Sequence, residues 1–123
     1  MKLIKFEVMK LNVCIAGATG WVGKPLCLAV SEADDLSLVG AVSRTHEGRA
    51  LKDVFGESNL DLTVSGWVAA ALDASTDVLV DYTKADVVKA NVMTAIRSGV
   101  HVVIHSSGLT DEVFVETNQA ALG

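Results

Sequence analysis

An open, mostly parallel α/β sheet with helices on both faces is the fold this sequence predicts, and three observations predict it. Short β-forming runs without polar alternation take turns along the chain with stretches of helical period. The segments joining them are short. A turn with three evenly spaced glycines follows the first β-forming run and leads into the first helical stretch. Strands buried on both faces of a parallel sheet read as near-continuous apolar runs, and βαβα order with short connections builds such a sheet.

The β-forming runs are 12–16 (NVCIA), 36–42 (LSLVGAV), 78–81 (VLVD) and 100–104 (VHVVI), with a weaker strand at 60–64. Between the first two, Val22, Leu26, Ala29, Val30 and Ala33 fall on one helical stripe, with Pro25 at the edge of the first turn, where a missing N–H is tolerated. Residues 68–72 read as a short helix. Ala85, Val88, Val92, Ala95 and Ile96 form a second stripe, opened by Thr83-x-x-Asp86 as a capping box and closed by Gly99 in the left-handed position. A last helix opens at Thr110, whose followers Asp111 and Glu112 suit a helix N-terminus.

Composition removes several function classes. Half of the 123 residues are apolar, so disorder is excluded, and one domain of this size buries a real core. Fifteen acidic residues against ten basic ones give a net charge of -5, which argues against nucleic-acid or membrane-surface partners. The longest uncharged run, 11–23, includes three glycines and falls short of the ~20 apolar residues of a membrane span. Lys5, Glu7 and Lys10 interrupt the N-terminal apolar residues, so no signal-peptide core is read there. Cys14 and Cys27 lie in apolar periodic segments and read as buried free thiols of a cytoplasmic protein. Residues 1–9 read as an N-terminal extension and 10–123 as the domain.

The segment 13–23 (VCIAGATGWVG) carries the most functional information. A strand runs into GxxGxxG and then a helix, and each glycine has a mechanical reason. Gly17 makes the tight turn, Gly20 lets backbone approach a pyrophosphate, and Gly23 packs the helix closely against the sheet. Ala18, Thr19, Trp21 and Val22 fill the loop, and the helix N-terminus offers N–H groups to phosphates. The fold therefore reads as a Rossmann-like, doubly wound sheet that binds a nicotinamide dinucleotide.

The second strand tells which one. An NAD site places a carboxylate near its end for the ribose 2′-OH, whereas this strand ends Ser43-Arg44-Thr45. Arg44 offers a fork for a 2′-phosphate, a contact worth ~1.5–3 kcal/mol, or ~10- to 150-fold in affinity. NADP(H) is preferred on this reading, with NAD(H) not excluded. His46 and Arg49 read as ordinary loop residues within reach of the same place.

GATGWVG, then Asp81-Tyr82-Thr83 after one strand and His105-Ser106-Ser107-Gly108 after the next, resembles the N-terminal domain of the 4-hydroxy-tetrahydrodipicolinate (dihydrodipicolinate) reductase family. The resemblance runs from about Lys10 onward and is most specific over 78–114. It implies that Gly17 through Val22 wrap the pyrophosphate and that Arg44 meets the adenosine 2′-phosphate. It implies that Tyr82 and Thr83 lie at the nicotinamide side, that His105, Ser106 and Ser107 line the nicotinamide and substrate face, and that Ser107 touches a substrate carboxylate. It implies a reductase of diaminopimelate and lysine biosynthesis that transfers hydride from NAD(P)H. Where this chain has His105 the family usually has glycine. The family's catalytic His pair and Lys belong to a second domain, expected to follow Gly123. No catalytic residue is therefore assigned here, and a small-molecule substrate is expected to be met through that domain, leaving this chain to hold cofactor without turnover. No residue pattern fixes the oligomeric state.

Other constellations read more plainly. His101 and His105 lie about 13 Å apart on a strand, too wide for one ion held at about 2.1 Å by each ring, so no metal site is read. Trp21 and Trp67 read as packing residues rather than stacking platforms, with Trp21 the exception because its backbone N–H falls where the pyrophosphate is expected, and Asp81 reads as structural. Asp86 occupies the place of the lysine in Tyr-x-x-x-Lys, which excludes a short-chain dehydrogenase. Semialdehyde dehydrogenases and N-acetylglutamyl-phosphate reductase also open with GATGxxG and follow their second strand with Ser-Arg, so they stay as the alternative enzyme class. A binding module without catalysis is the alternative of another kind.

Overall fold

The computed structural model describes residues 10–56, 60–73 and 75–104, apart from the side chains of Ala85 and Asp86. The proposed extension 1–9, the residues His105, Ser106 and Ser107, and the helix expected at Thr110 lie outside the described residues. Among the described residues four strands form one parallel sheet: β1 (Leu11–Ala16), β2 (Leu36–Val42), β3 (Val78–Asp81) and β4 (His101–Ile104), in the spatial order β2-β1-β3-β4. Helix α1 (Gly23–Glu32) crosses from β1 to β2 and α4 (Ala85–Arg97) from β3 to β4, with the short α2 (Leu51–Phe55) and α3 (Val68–Ala71) between β2 and β3.

The central strand explains the double winding. Side chains of a strand point alternately to the two faces. Val13 and Ile15 of β1 enter a core with Cys27 and Val30 of α1 and Leu51 and Phe55 of α2. Cys14 and Ala16 enter the opposite core, with Val68 of α3 and Ala95 of α4. A strand that must bury both faces has no polar alternation, which is why β1 reads as a continuous apolar run from Val13 to Ala16, all four buried.

Several expected details differ. The buried face of α1 is Gly23, Cys27 and Val30, whereas Val22 and Ala29 are exposed, so the stripe is rotated from the expected one. The rotation follows from Gly23, which has no side chain and turns its bare face inward. No strand forms at 60–64; Thr63 makes one bridge to Ala50 and Ser65 one to Val42. That segment divides its hydrogen bonds between the 48–51 loop and the end of β2, so no ladder extends. The expected capping box at Thr83 is absent, because Lys84 is the N-cap residue and the Thr83 hydroxyl donates to Asp81 instead. Gly99 does end α4 as expected, with φ +76°: its N–H meets the Ile96 carbonyl and the Val100 N–H the Ala95 carbonyl, a Schellman closure. β1 and β2 shift register between Val13 and Cys14, a bulge accommodated at Gly40, where an added Cβ would lie 2.8 Å from the Cys14 sulfur.

Cys14 and Cys27 are both free and buried. Burial pushes the Cys14 thiol up to about 12, with Cys27, Asp73 and Asp81 adding to the rise, and burial alone does the same for Cys27. Among the described residues no helix is long and apolar enough to cross a membrane.

Two outcomes follow. Leu79→Ala, which empties a fully buried site on β3, should cost about 2–5 kcal/mol in urea unfolding. The raised thiols set an alkaline limit. Below their ordinary values, near 9, folded and unfolded chains both keep the thiol protons; above that, only the folded chain keeps them, so stability falls as pH climbs toward about 12. Unfolding curves at about pH 8 and about pH 10 should show the loss, and a Cys14→Ala/Cys27→Ala chain should lose less.

Candidate functional site

The carboxyl ends of β1, β2 and β3 open onto one cleft of about 630 Å³. β1 and its turn contribute Gly17 and Gly20, and the end of β2 contributes Val42, Ser43, Arg44 and Thr45. Gly66 and Trp67 form one wall, and Tyr82, Thr83 and Lys84 follow β3 onto the face of α4. Open α/β sheets bind ligands at this end of their strands.

The turn is built by three glycines with three different environments. Gly17 has φ +81°, and its N–H, like that of Ala18, donates to the Val42 carbonyl, which ties the loop to β2. A Cβ on Gly23 would lie 2.2 Å from the Gly17 oxygen and 2.4 Å from that of Ala18, so α1 lies backbone against backbone on the loop. Gly20 is different. Its added Cβ would meet nothing nearer than the Gly17 oxygen at 3.4 Å, and the residue faces the cleft. Packing among the described residues does not demand glycine there; a ligand lying against the backbone would. The N-cap residue of α1 is Val22, whose side chain makes no capping hydrogen bond, and Pro25 has no N–H.

Electrostatics agree with an anionic occupant. Among the described residues, Arg44 and Lys84 are the charged ones lining the cleft, in a chain of net charge -5. Arg44 is exposed and has no ion-pair partner among the described residues. The nearby carboxylate of Asp81 is fully buried, and its Oδ1 accepts the Thr83 N–H at 2.7 Å and the Thr83 hydroxyl. Asp81 therefore fixes the turn that carries Tyr82 and Thr83. Asn91 of α4 reaches the same Thr83 hydroxyl at 3.4 Å.

Gly17, Gly20, Arg44, Tyr82 and Thr83 thus border one space, and Ala18 is buried beneath the loop. Thr19 and Trp21 lie on the far side of the loop, in a neighbouring hollow of about 420 Å³ with Lys24, Pro25, His46, Val54 and Phe55. The two tryptophans are not packing residues: Trp21 is 99% exposed and Trp67 63% exposed. Trp21 sits where the chain turns away from the sheet, and Trp67, extended at the N-cap of α3, lines the cleft. His46 is more than a loop residue. Its Nδ1 lies 3.0 Å from the Thr19 hydroxyl and 2.9 Å from that of Thr45, and Ser43 lies 2.6 Å from Thr19. Lys84 and Asn91 were not legible as site residues, since only the β3-to-α4 connection aims them at the cleft. Among the described residues no group of three or more His, Cys, Asp or Glu could hold a metal ion.

The family model for dihydrodipicolinate reductase, N-terminus, matches residues 11–122. This chain belongs to the dihydrodipicolinate reductase family. The 4-hydroxy-tetrahydrodipicolinate reductase of Thermosynechococcus vestitus is 34% identical over 116 residues, which cover 90% of this chain and 42% of the relative. The chain thus spans less than half the length of that family member. Among solved structures, a dipicolinate-bound dihydrodipicolinate reductase from Paenisporosarcina sp. TG-14 has a TM-score of 0.71 at 23% identity, covering 91% of this chain and 43% of that one. An aspartate semialdehyde dehydrogenase with NADP from Candida albicans has a TM-score of 0.69 at 21% identity, covering 80% of this chain and 30% of that one. Both likenesses establish the Rossmann-type fold; the sequence match establishes the family and sets aside the semialdehyde dehydrogenase class.

The contrast between the glycines gives a test of the loop. Gly23→Ala should cost about 1–3 kcal/mol in chemical unfolding, because backbone on both sides must move. Gly20→Ala should shift stability by less than about 1 kcal/mol.

Proposed function

We propose that this chain is the nicotinamide-dinucleotide-binding part of a reductase of its family, with NADP(H) favoured over NAD(H). The observation that carries the reading is Gly20: a glycine that packing among the described residues does not require, facing a cleft whose described lining carries two cations and no carboxylate. The backbone from Gly17 through Val22 holds the pyrophosphate, and Gly23 keeps α1 close enough for its first turn to take part. Arg44 takes the 2′-phosphate in a charge-assisted contact. Tyr82 and Thr83 border the nicotinamide side, with Thr83 held by Asp81. By the family resemblance, His105, Ser106 and Ser107 complete that side, with Ser107 toward a substrate carboxylate.

A bound nicotinamide dinucleotide supplies the hydride, while the protein supplies orientation. The curated relatives are named 4-hydroxy-tetrahydrodipicolinate reductase. For the whole protein we therefore propose reduction of a cyclic imine-type substrate in diaminopimelate and lysine biosynthesis. The groups that protonate that substrate belong, in the family, to the part of the relatives beyond the matched segment.

Calorimetric titration at one fixed salt concentration tests the reading. NADPH should bind about tenfold or more tightly than NADH, and Arg44→Ala should remove that advantage while leaving NADH nearly unchanged. Gly20→Ala should weaken both cofactors and leave the fold intact. Equal losses for both cofactors in Arg44→Ala would remove Arg44 from the 2′-phosphate, and no binding of either cofactor would overturn the reading.

A further inference from the structure

An indole is among the largest apolar surfaces a chain carries and is normally covered, yet most of Trp67 is exposed and lines the cleft. Its backbone explains why. Residue 67 is extended, with φ -151° and ψ 159°, so its side chain leaves the chain opposite to that of Val68. Val68 is buried and shares a core with Ala95 of α4. Burying Val68 therefore turns the indole outward, into the cleft.

The segment that carries the ring is also held in advance. The Ser65 N–H donates to the Ala41 carbonyl and the Ser65 carbonyl accepts the Ser43 N–H, both at 2.9 Å, so the backbone two residues before Trp67 is tied to the end of β2. Gly66 is buried under the Glu47 side chain, whose carboxyl carbon would lie 2.5 Å from an added Cβ. The same cleft is lined by Val87 and Ala90 of α4, both apolar. An indole among aliphatic side chains suits a flat heteroaromatic ring; a phosphate or a sugar hydroxyl would gain nothing from it.

We infer that Trp67 is the stacking platform for the adenine base of the cofactor, and so sets nucleotide affinity without regard to the 2′ position. This role rests on the dinucleotide reading of the cleft. The 2′-oxygen and the base leave adjacent carbons of one ribose, so a cofactor whose 2′ position meets Arg44 carries its base into the same end of the cleft. Ser43, next to Arg44, is the residue hydrogen-bonded to the segment that bears Trp67. Trp67 thus stands on the β2 side of the cleft, while Tyr82 and Thr83 follow β3. Stacking needs a π face and no charge, so its contribution is the same for NADPH and NADH. Arg44 and Trp67 divide the recognition: Arg44 selects between the two cofactors, and Trp67 adds affinity for both.

Calorimetric titration of the full chain with NADPH and NADH tests this in the wild type and in Trp67→Ala, Trp67→Leu and Trp67→Phe. The Ala and Leu variants should weaken both cofactors by the same factor, about 5- to 150-fold, while Trp67→Phe keeps a π face and should stay within about fivefold of wild type. Position 67 is exposed, so urea unfolding should place all three variants close to wild type. Fluorescence locates the base. The chain has two tryptophans, and saturating 5′-AMP should quench the wild-type emission but leave that of Trp67→Phe, which retains Trp21, unchanged. If all variants match the wild type and 5′-AMP quenches nothing, the platform is overturned and the dinucleotide reading survives. Full affinity in Trp67→Leu would reduce the residue to an apolar cover, and a loss confined to NADPH would make it an accessory of Arg44; either overturns the inference. Wild-type chain that binds neither cofactor removes both readings.

Discussion

The backbone contact between Gly23 and the Gly17–Ala18 carbonyls is the constraint on which the rest of this structure depends. With no Cβ between them, α1 starts directly on the turn that leaves β1. This fixes which helical face is buried, since Cys27 and Val30 follow Gly23 at helical spacing and meet the sheet. It also leaves Gly20 at the lip of the cleft and swings Thr19 toward the end of β2. Packing and binding are therefore one geometry: the contact that seats the helix is the contact that shapes the phosphate-sized space before it.

The second feature is the separation of charge. Among its described residues the acidic chain places no carboxylate in the cleft lining, and Arg44 and Lys84 stand there. Its one buried carboxylate nearby, Asp81, is turned to internal use, holding the Thr83 backbone and hydroxyl. Local field rather than net charge decides which ligands a cleft attracts.

The sheet was legible because burial on both faces leaves an unambiguous signature in β1, β2 and β3. The glycine turn was legible because each glycine answers a separate local need. What escaped did so for physical reasons. The rotated face of α1 hid behind Gly23, because glycine carries no weight in an apolar stripe although its lack of a side chain is what turns that face inward. Helix α2 was missed, although Leu51, Val54 and Phe55 at helical spacing and Gly56 in the left-handed conformation marked it. The β bulge had one signal, Gly40 within an otherwise apolar strand. Trp67 misled because large aromatic residues normally signal packing. The Thr19–His46 contact spans 27 positions and exists only through the β1–β2 pairing, so no local pattern contains it.

The central claim is that the space before Gly20 holds a nicotinamide dinucleotide, and the most direct measurement is to locate the cofactor on the chain by NMR. With NADPH added to uniformly labelled protein, the amide signals of Gly17 through Lys24, Ser43 through His46 and Tyr82 through Lys84 should move together. Signals from the outer end of α1 and from the strand ends opposite the cleft should stay in place. Unmoved glycine amides at saturating NADPH, or shifts confined to other surfaces, would contradict the account.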